Sequence, residues 1–276
     1  MEIAHIIDGS FEGLLTSVFE AYSSRRFPAG ICADDGYQLD FGQEQVHIRT
    51  DGAKASRVMA GILRKMGAAV YEQAWTAFLS NDATRHIKIL RYLALGFQVG
   101  RALPDMLAEP AVMDVLELAR PVARECNKLL GFVRFSIMEN GAQFSEIAPE
   151  HNQLPLLMPH FADRLPDVPF VLHDSRRKLA GLHGAGQWRI VVADGLRLPG
   201  YSDDELEWRK MWKRYFDALA IEERKNARLQ MSLMPKRYWR GLTEMQPAAV
   251  GAGCRAALPP ESAKLAILQD PPAISL

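Results

Sequence analysis

Phe132-Val133-Arg134-Phe135-Ser136-Ile137-Met138-Glu139-Asn140-Gly141-Ala142-Gln143-Phe144-Ser145-Glu146-Ile147-Ala148 is where the chain changes character. Runs rich in aromatic and β-branched residues flank Asn140-Gly141, a strong hairpin signal, so residues 132–139 and 142–148 are predicted strands. Residues 170–173, 178–182 and 188–193 give three more, with Gly184-Ala185-Gly186 turning the last two into a hairpin. A short helix over residues 154–165, interrupted at Pro159, is inserted among them. The middle of the chain is therefore predicted to be a mainly antiparallel sheet.

Upstream the period is helical. Phe11, Leu14, Leu15, Val18, Phe19 and Tyr22 follow the i, i+3, i+4, i+7 pattern after a strand at residues 3–7 and a cap at Asp8-Gly9-Ser10. Residues 25–36 read as a loop and 45–49 as a second strand. Thr50-Asp51 caps a series of helices broken near Gly67, at Ser80-Asn81-Asp82 and after Gly100, and another runs from Pro110 towards Leu130. Strands do not alternate regularly with helices, which makes the fold class α+β, with a helical N-terminal half, a central sheet and a basic helical C-terminal segment. The expected organisation is one domain over residues 1–245 and a disordered Pro/Ala-rich tail over 246–276.

The chain has 276 residues, 48% of them hydrophobic, and a formal net charge of zero, the profile of a soluble globular protein with ample core. No apolar run approaches a membrane span, and no signal peptide is evident. Cys32, Cys126 and Cys254 are scattered, which points to a reducing cytosol and away from a disulfide framework or a thiolate zinc site. No spacing calls for a metal or cofactor. Gly181-Leu182-His183-Gly184-Ala185-Gly186 lies between two strands, the wrong context for a phosphate loop.

Charge is not evenly spread. Residues 209–240 hold ten Lys or Arg against three acids, a positive end that suits an anionic partner. The segment opens with Ser202-Asp203-Asp204-Glu205, a capping box. Helical spacing assigns Trp208, Trp212 and Phe216 to the core, with Tyr215 and Leu219 on the same face. Lys213, Arg214, Arg228, Lys236, Arg237, Tyr238, Trp239 and Arg240 are the candidate nucleic-acid contacts, because rings interleaved with cations suit a single strand or a flipped base. A second candidate is the polar run of His151, Asn152, His160, Asp163, Arg164, Asp174 and Arg177. Imidazoles and carboxylates there could build a metal site or a general acid–base pair, but the spacing matches no zinc motif, which favours the plainer role of tying turns and helix ends to backbone.

These residues resemble a bacterial "probable DNA metabolism protein" family, a domain of unknown function. The resemblance covers residues 7–244. It is carried by Asp8-Gly9-Ser10-Phe11-Glu12-Gly13-Leu14-Leu15, Thr50-Asp51 with Lys54-Ala55 and Arg57-Val58, and Arg124-Glu125 with Gly131-Phe132-Val133-Arg134-Phe135. The longest match runs from Pro149-Glu150-His151-Asn152 to Asp163-Arg164-Leu165-Pro166-Asp167, followed by His173-Asp174 and an arginine. It closes on Trp212-Lys213-Arg214-Tyr215-Phe216, Arg228-Leu229-Gln230 and Met234-Pro235-Lys236-Arg237-Tyr238-Trp239. Two positions depart from the pattern: Cys126-Asn127 stands where a histidine is expected, and Asn226-Ala227-Arg228 lacks a proline. The resemblance implies a role in DNA modification or repair beside a radical-SAM or uracil-DNA-glycosylase-like partner. With no length left for a glycosylase domain, that partner is expected in trans. An enzyme acting on nucleic acid or nucleotide through the His/Asp/Arg site, or a protein-recruitment module without DNA contact, are the alternatives.

Overall fold

A computed structural model describes residues 2–33, 44–196, 199–246 and 267–268. The fold is α+β, and the chain gathers into two compact units, Met1–Arg124 and Glu125–Leu276.

In the first unit, β1 (Ile3–Ile7) is buried along its whole length and leads into α1 (Phe11–Ser24), whose N-cap Ser10 accepts a hydrogen bond from the Gly13 amide at 2.9 Å. The stretch predicted as a loop after α1 contains a further strand, β2 (Gly30–Ala33). Four small or apolar residues bounded by glycine are too short to show alternation, and only pairing with β1 makes them a strand. With β3 (Glu44–His47) they form a three-stranded parallel sheet of order β2-β1-β3. The helices follow as the pattern predicts: α2 (Gly52–Lys65, capped by Asp51), α3 (Ala68–Phe78), α4 (Arg85–Val99) and the long α5 (Pro110–Phe132). Phe11 anchors the core of this unit, with the rings of Tyr71, Trp75 and Phe78 packed edge-on at 5.0–5.9 Å.

The second unit carries the predicted sheet. Two local expectations change. Phe132 still belongs to α5, and Val133 continues its ladder by donating to the Leu129 carbonyl at 2.9 Å, so the first strand shrinks to β4 (Ser136–Ile137). The hairpin itself forms. Met138 donates to Ala142, Gly141 donates back to Met138, and Gly141 takes φ +79°, a left-handed position that glycine adopts at low cost. After β5 (Gln143–Ile147) comes α6 (Leu154–Arg164), which runs through Pro159 rather than breaking there. Pro159 removes one backbone donor, but burial of Leu157, Met158 and Phe161 around it holds the helix together.

The strands β6 (Phe170–Asp174), β7 (Leu179–Gly184) and β8 (Gln187–Val192) complete the order β4-β5-β6-β7-β8. The β5–β6 pair is parallel, bridged by α6, and the others are antiparallel. Ala185 and Gly186, at φ +51° and +72°, form the two-residue turn between β7 and β8. Gly181 is needed for packing: a Cβ there would lie 2.1 Å from the Met158 sulfur, so the bare backbone lets α6 approach the sheet. Most of residues 246–276, expected as a disordered tail, lies outside the described residues. Within that stretch Ile267–Leu268 (β9) pairs antiparallel with β8. Among the described residues no helix is long and apolar enough to cross a membrane.

Candidate functional site

Glu125, on α5, is the hub of the second unit. Its side chain is 4% exposed. Val122, Glu125 and Leu129 share the buried stripe of the helix, so a carboxylate stands where a leucine would be ordinary. An isolated buried charge would be costly, and here it is surrounded by donors. The Glu150 and His151 amides donate to its two oxygens at 2.9 and 2.8 Å. The Tyr238 hydroxyl donates at 3.1 Å, the Gln153 amide group reaches it at 3.4 Å, and the Arg237 guanidinium lies 3.6 Å away.

A second buried carboxylate, Asp174, stands at the end of β6. One oxygen accepts from the Arg176 and Arg177 amides at 3.0 and 3.1 Å, the other from the Arg177 guanidinium at 3.1 Å. Arg177 also donates to the carbonyls of Pro149 (3.1 Å) and Glu150. Glu125 therefore holds the Pro149-Glu150-His151 turn by its amides and Arg177 holds it by its carbonyls.

This geometry sorts the predicted polar run. Asp174, Arg177 and the backbone of His151 come together around one turn, with Asn152 half-buried beside it. His160, Asp163 and Arg164 lie on the exposed side of α6, where the His160 ring sits edge-on to Phe161. Burial lowers the pKa of His151, against the pull of the nearby Glu125 and Glu150 charges. His173 is lowered for the same first reason. Both carboxylates spend their acceptor positions on amides, a hydroxyl and guanidinium groups, the arrangement of a structural tie.

The segment Lys236–Gly241 closes over the hub. Tyr238, given to nucleic acid by the sequence pattern, is 6% exposed and packs its ring against Phe132 at 5.5 Å. Burial raises its pKa. Arg237 meets Glu150 at 3.0 Å, and Arg240 meets Glu146 at 3.1 Å. Trp239 is half-buried, donates to the Met234 carbonyl at 2.9 Å, and carries Lys236 over its ring. A small cleft lined by Leu129, Ser145, Ile147, Tyr238 and Gly241 lies beside this strap, with the Ser145 hydroxyl buried and unpartnered among the described residues.

The largest departure concerns α7 (Asp203–Leu219). It buries no residue, and the rings assigned to the core stand in solvent: Trp208 is 65% exposed and Tyr215 57%. Its capping box is half made. Ser202 accepts from the Glu205 amide at 3.2 Å, but Glu205 does not return the bond, because the Ser202 amide already donates to the Ile137 carbonyl. Glu205 instead accepts from the Ile137 amide at 3.2 Å. Lys213 donates to the Glu244 carbonyl at 2.9 Å and meets Asp217 at 3.2 Å. Arg214 is exposed, as is Arg228 on α8 (Ala227–Leu233).

The sequence signals for Glu125 were slight: an acidic residue on an apolar stripe and a family-like Arg124-Glu125 pair. No curated protein matches the chain. Residues 83–244, more than half of the chain, match the family described as Domain of unknown function (DUF4130). That span takes in α5, strands β4 to β8, the Glu125 hub and the C-terminal strap, and the chain belongs to the DUF4130 family.

Proposed function

We propose that this chain is an accessory component of DNA modification or repair in the cytosol. In this reading it binds nucleic acid through residues 203–241 and works beside a catalytic partner in trans, a radical-SAM or uracil-DNA-glycosylase-like protein. The observation that carries the reading is the outward-turned aromatic side of α7 together with the run of residues 209–240, which holds ten Lys or Arg against three acids in a chain of zero net charge. The DNA context and the partner rest on the family resemblance. The polar residues around Asp174 and Glu125 favour a structural role over catalysis, since their hydrogen-bonding positions are taken up by the fold. A second reading, a recruitment module without DNA contact, draws support from the exposed Met211, Leu219, Leu229 and Leu233.

The test is fluorescence anisotropy with labelled single- and double-stranded DNA at about 50 and 200 mM salt. Binding that weakens steeply with salt is the expected result. No binding to either form at the lower salt would remove the nucleic-acid reading and leave the recruitment module.

A further inference from the structure

Helices α2 and α4 of the first unit hold seven Lys or Arg and no Asp or Glu, in a chain with 33 of each sign. A solvated helix ordinarily mixes the signs, because acid–base pairs one turn apart steady it. Arg64 and Lys65, in the last turn of α2, also suit the helix dipole. Arg57 and Arg91 stand mid-helix, where that field has faded.

Acids on the neighbouring elements do not make up the difference. Lys54 holds Glu20 of α1, Lys88 holds Asp82 at 3.2 Å, and Arg26 holds Glu44 at 2.8 Å. Asp51 caps α2 through two amides, and Glu12 is half-buried in the first turn of α1. The turn Gly100–Asp105 adds one charge of each sign, Arg101 and Asp105. What α1 to α4 leave exposed is Arg57, Arg64, Lys65 and Arg91, with Arg25 capping α1, against Glu72 alone.

The packing that uses up the acids also sets the cations in place. Thr50 donates to Asp8 at 2.8 Å, the Asp51 amide donates to the Thr16 hydroxyl at 3.2 Å, and Arg57 lies over the Phe19 ring at 5.2 Å, so α2 is tied along α1. At Gly61 a Cβ would stand 3.3 Å from the Phe97 ring, so the bare backbone lets α4 come up beside α2. Arg57 and Arg64 lie one turn before and one turn after Gly61, about 10 Å apart along the axis. The exposed residues around them, Ala53, Ser56 and Ala60, are small and keep the face low. Arg57, Arg64 and Lys65 make no ion pair among the described residues. A low face with unpaired guanidinium groups suits a polyanion. A phosphodiester backbone carries a charge about every 3.4 Å of rise on each strand and so meets any spacing, whereas a folded acidic protein must match each cation separately.

We infer that the exposed face of α2 seats a nucleic-acid backbone without regard to sequence, with phosphates at Arg57, Arg64 and Lys65. The inference rests on the nucleic-acid reading above for its class of ligand and adds a second surface outside residues 203–241. The full chain is titrated by anisotropy against a labelled duplex of about 20 base pairs across salt. The variant Arg57→Ala, Arg64→Ala, Lys65→Ala should weaken binding to all sequences alike. It should flatten the slope of log affinity against log salt by up to about 2.7, at about 0.9 per phosphate. Arg57→Lys with Arg64→Lys keeps the charge and should keep the slope. Because Arg57 also packs on Phe19, the pair Arg64→Ala, Lys65→Ala is read beside the triple variant, with circular dichroism checking the fold. That pair should flatten the slope by up to about 1.8. If both alanine variants match the parent while Arg214→Ala, Arg228→Ala, Lys236→Ala weakens binding, the α2 surface is overturned and the reading of residues 203–241 stands. Absence of binding to any oligonucleotide at about 50 mM salt would overturn both. Poly-glutamate displacing the labelled duplex better than unlabelled duplex does, at equal charge, would overturn the α2 surface in favour of an acidic protein.

Discussion

The Tyr238 hydroxyl donates a 3.1 Å hydrogen bond to Glu125, joining residues 113 apart in sequence inside the second unit. That bond fixes the strap Lys236–Gly241 to the end of α5, and the amides of Glu150 and His151 fix a turn to the same carboxylate. Hydrogen bonds to a charged group are worth about 1.5–3 kcal/mol each, and their loss leaves the partner buried and unpaired. Tyr238→Phe should therefore lower stability to urea by about 1–3 kcal/mol, and Glu125→Ala by more, since it strands two amides and the hydroxyl together. An unchanged urea midpoint for Tyr238→Phe would show that the bond holds nothing.

The class of fold was legible because its strongest signals are local. Asn140-Gly141 forces a turn whatever surrounds it, and the helical stripe of Phe11, Leu14, Leu15 and Val18 has one way to be buried. The losses were of two physical kinds. Strand β2 is too short to carry a period and exists through its pairing with β1. Helix α7 has a clear period, but periodicity states that two faces differ, not which one meets the body. Glu205, Arg209 and Lys213 found polar partners there, and the rings were left outside. The candidate site divided in the same way. Asp174 and Arg177 are three residues apart and meet through a turn, whereas Glu125 and Tyr238 meet through tertiary packing that no spacing reveals.

Arg177 should matter more than an exposed arginine. Asp174 is 0% exposed and takes the guanidinium as its cation, and Arg177 also binds the Pro149 and Glu150 carbonyls. Removing one partner of a buried pair leaves the other charge uncompensated, at about 3–5 kcal/mol. Arg177→Ala is expected to fall in that range by urea unfolding, and Asp174→Asn to cost less because its side-chain oxygen still accepts from the two amides. A change within about 0.5 kcal/mol for Arg177→Ala, ordinary for a surface site, would refute the tie.

The first unit should be sensitive to acid. His86 is buried beside Phe78, and burial, with Arg85 as the second cause, lowers its pKa from 6.5 to about 4. The unfolded chain takes up the proton first as pH falls, so this group's stability is full above pH 6.5 and is lost on descending to about pH 4. The loss amounts to roughly 3 kcal/mol at 1.36 kcal/mol per pKa unit. His5, lowered first by burial, adds a change of the same sign. Urea unfolding between neutral pH and about pH 4 should show His86→Gln losing less stability than the parent. Superimposable pH profiles would mean that His86 is not the group responsible.

The cations of the C-terminal segment should divide by their partners. Arg237 and Arg240 face Glu150 and Glu146 at 3.0 and 3.1 Å, so any phosphate must compete with a carboxylate already in place. Arg214, Arg228 and Lys236 are exposed, with Lys236 resting over the Trp239 ring. Each phosphate contact on a single strand contributes about 0.7 to the slope of log affinity against log salt. The triple variant Arg214→Ala, Arg228→Ala, Lys236→Ala should therefore flatten that slope by up to about two units, weakening all sequences alike. Replacing Arg237 and Arg240 by Ala should flatten it less and instead lower the urea midpoint, because it frees Glu146 and Glu150 and unties the strap over Tyr238. Anisotropy titrations across salt, read beside urea unfolding of the same variants, separate the two groups. If the Arg237/Arg240 pair flattens the slope as much per residue as the exposed three, the carboxylates do not hold those guanidinium groups against phosphate.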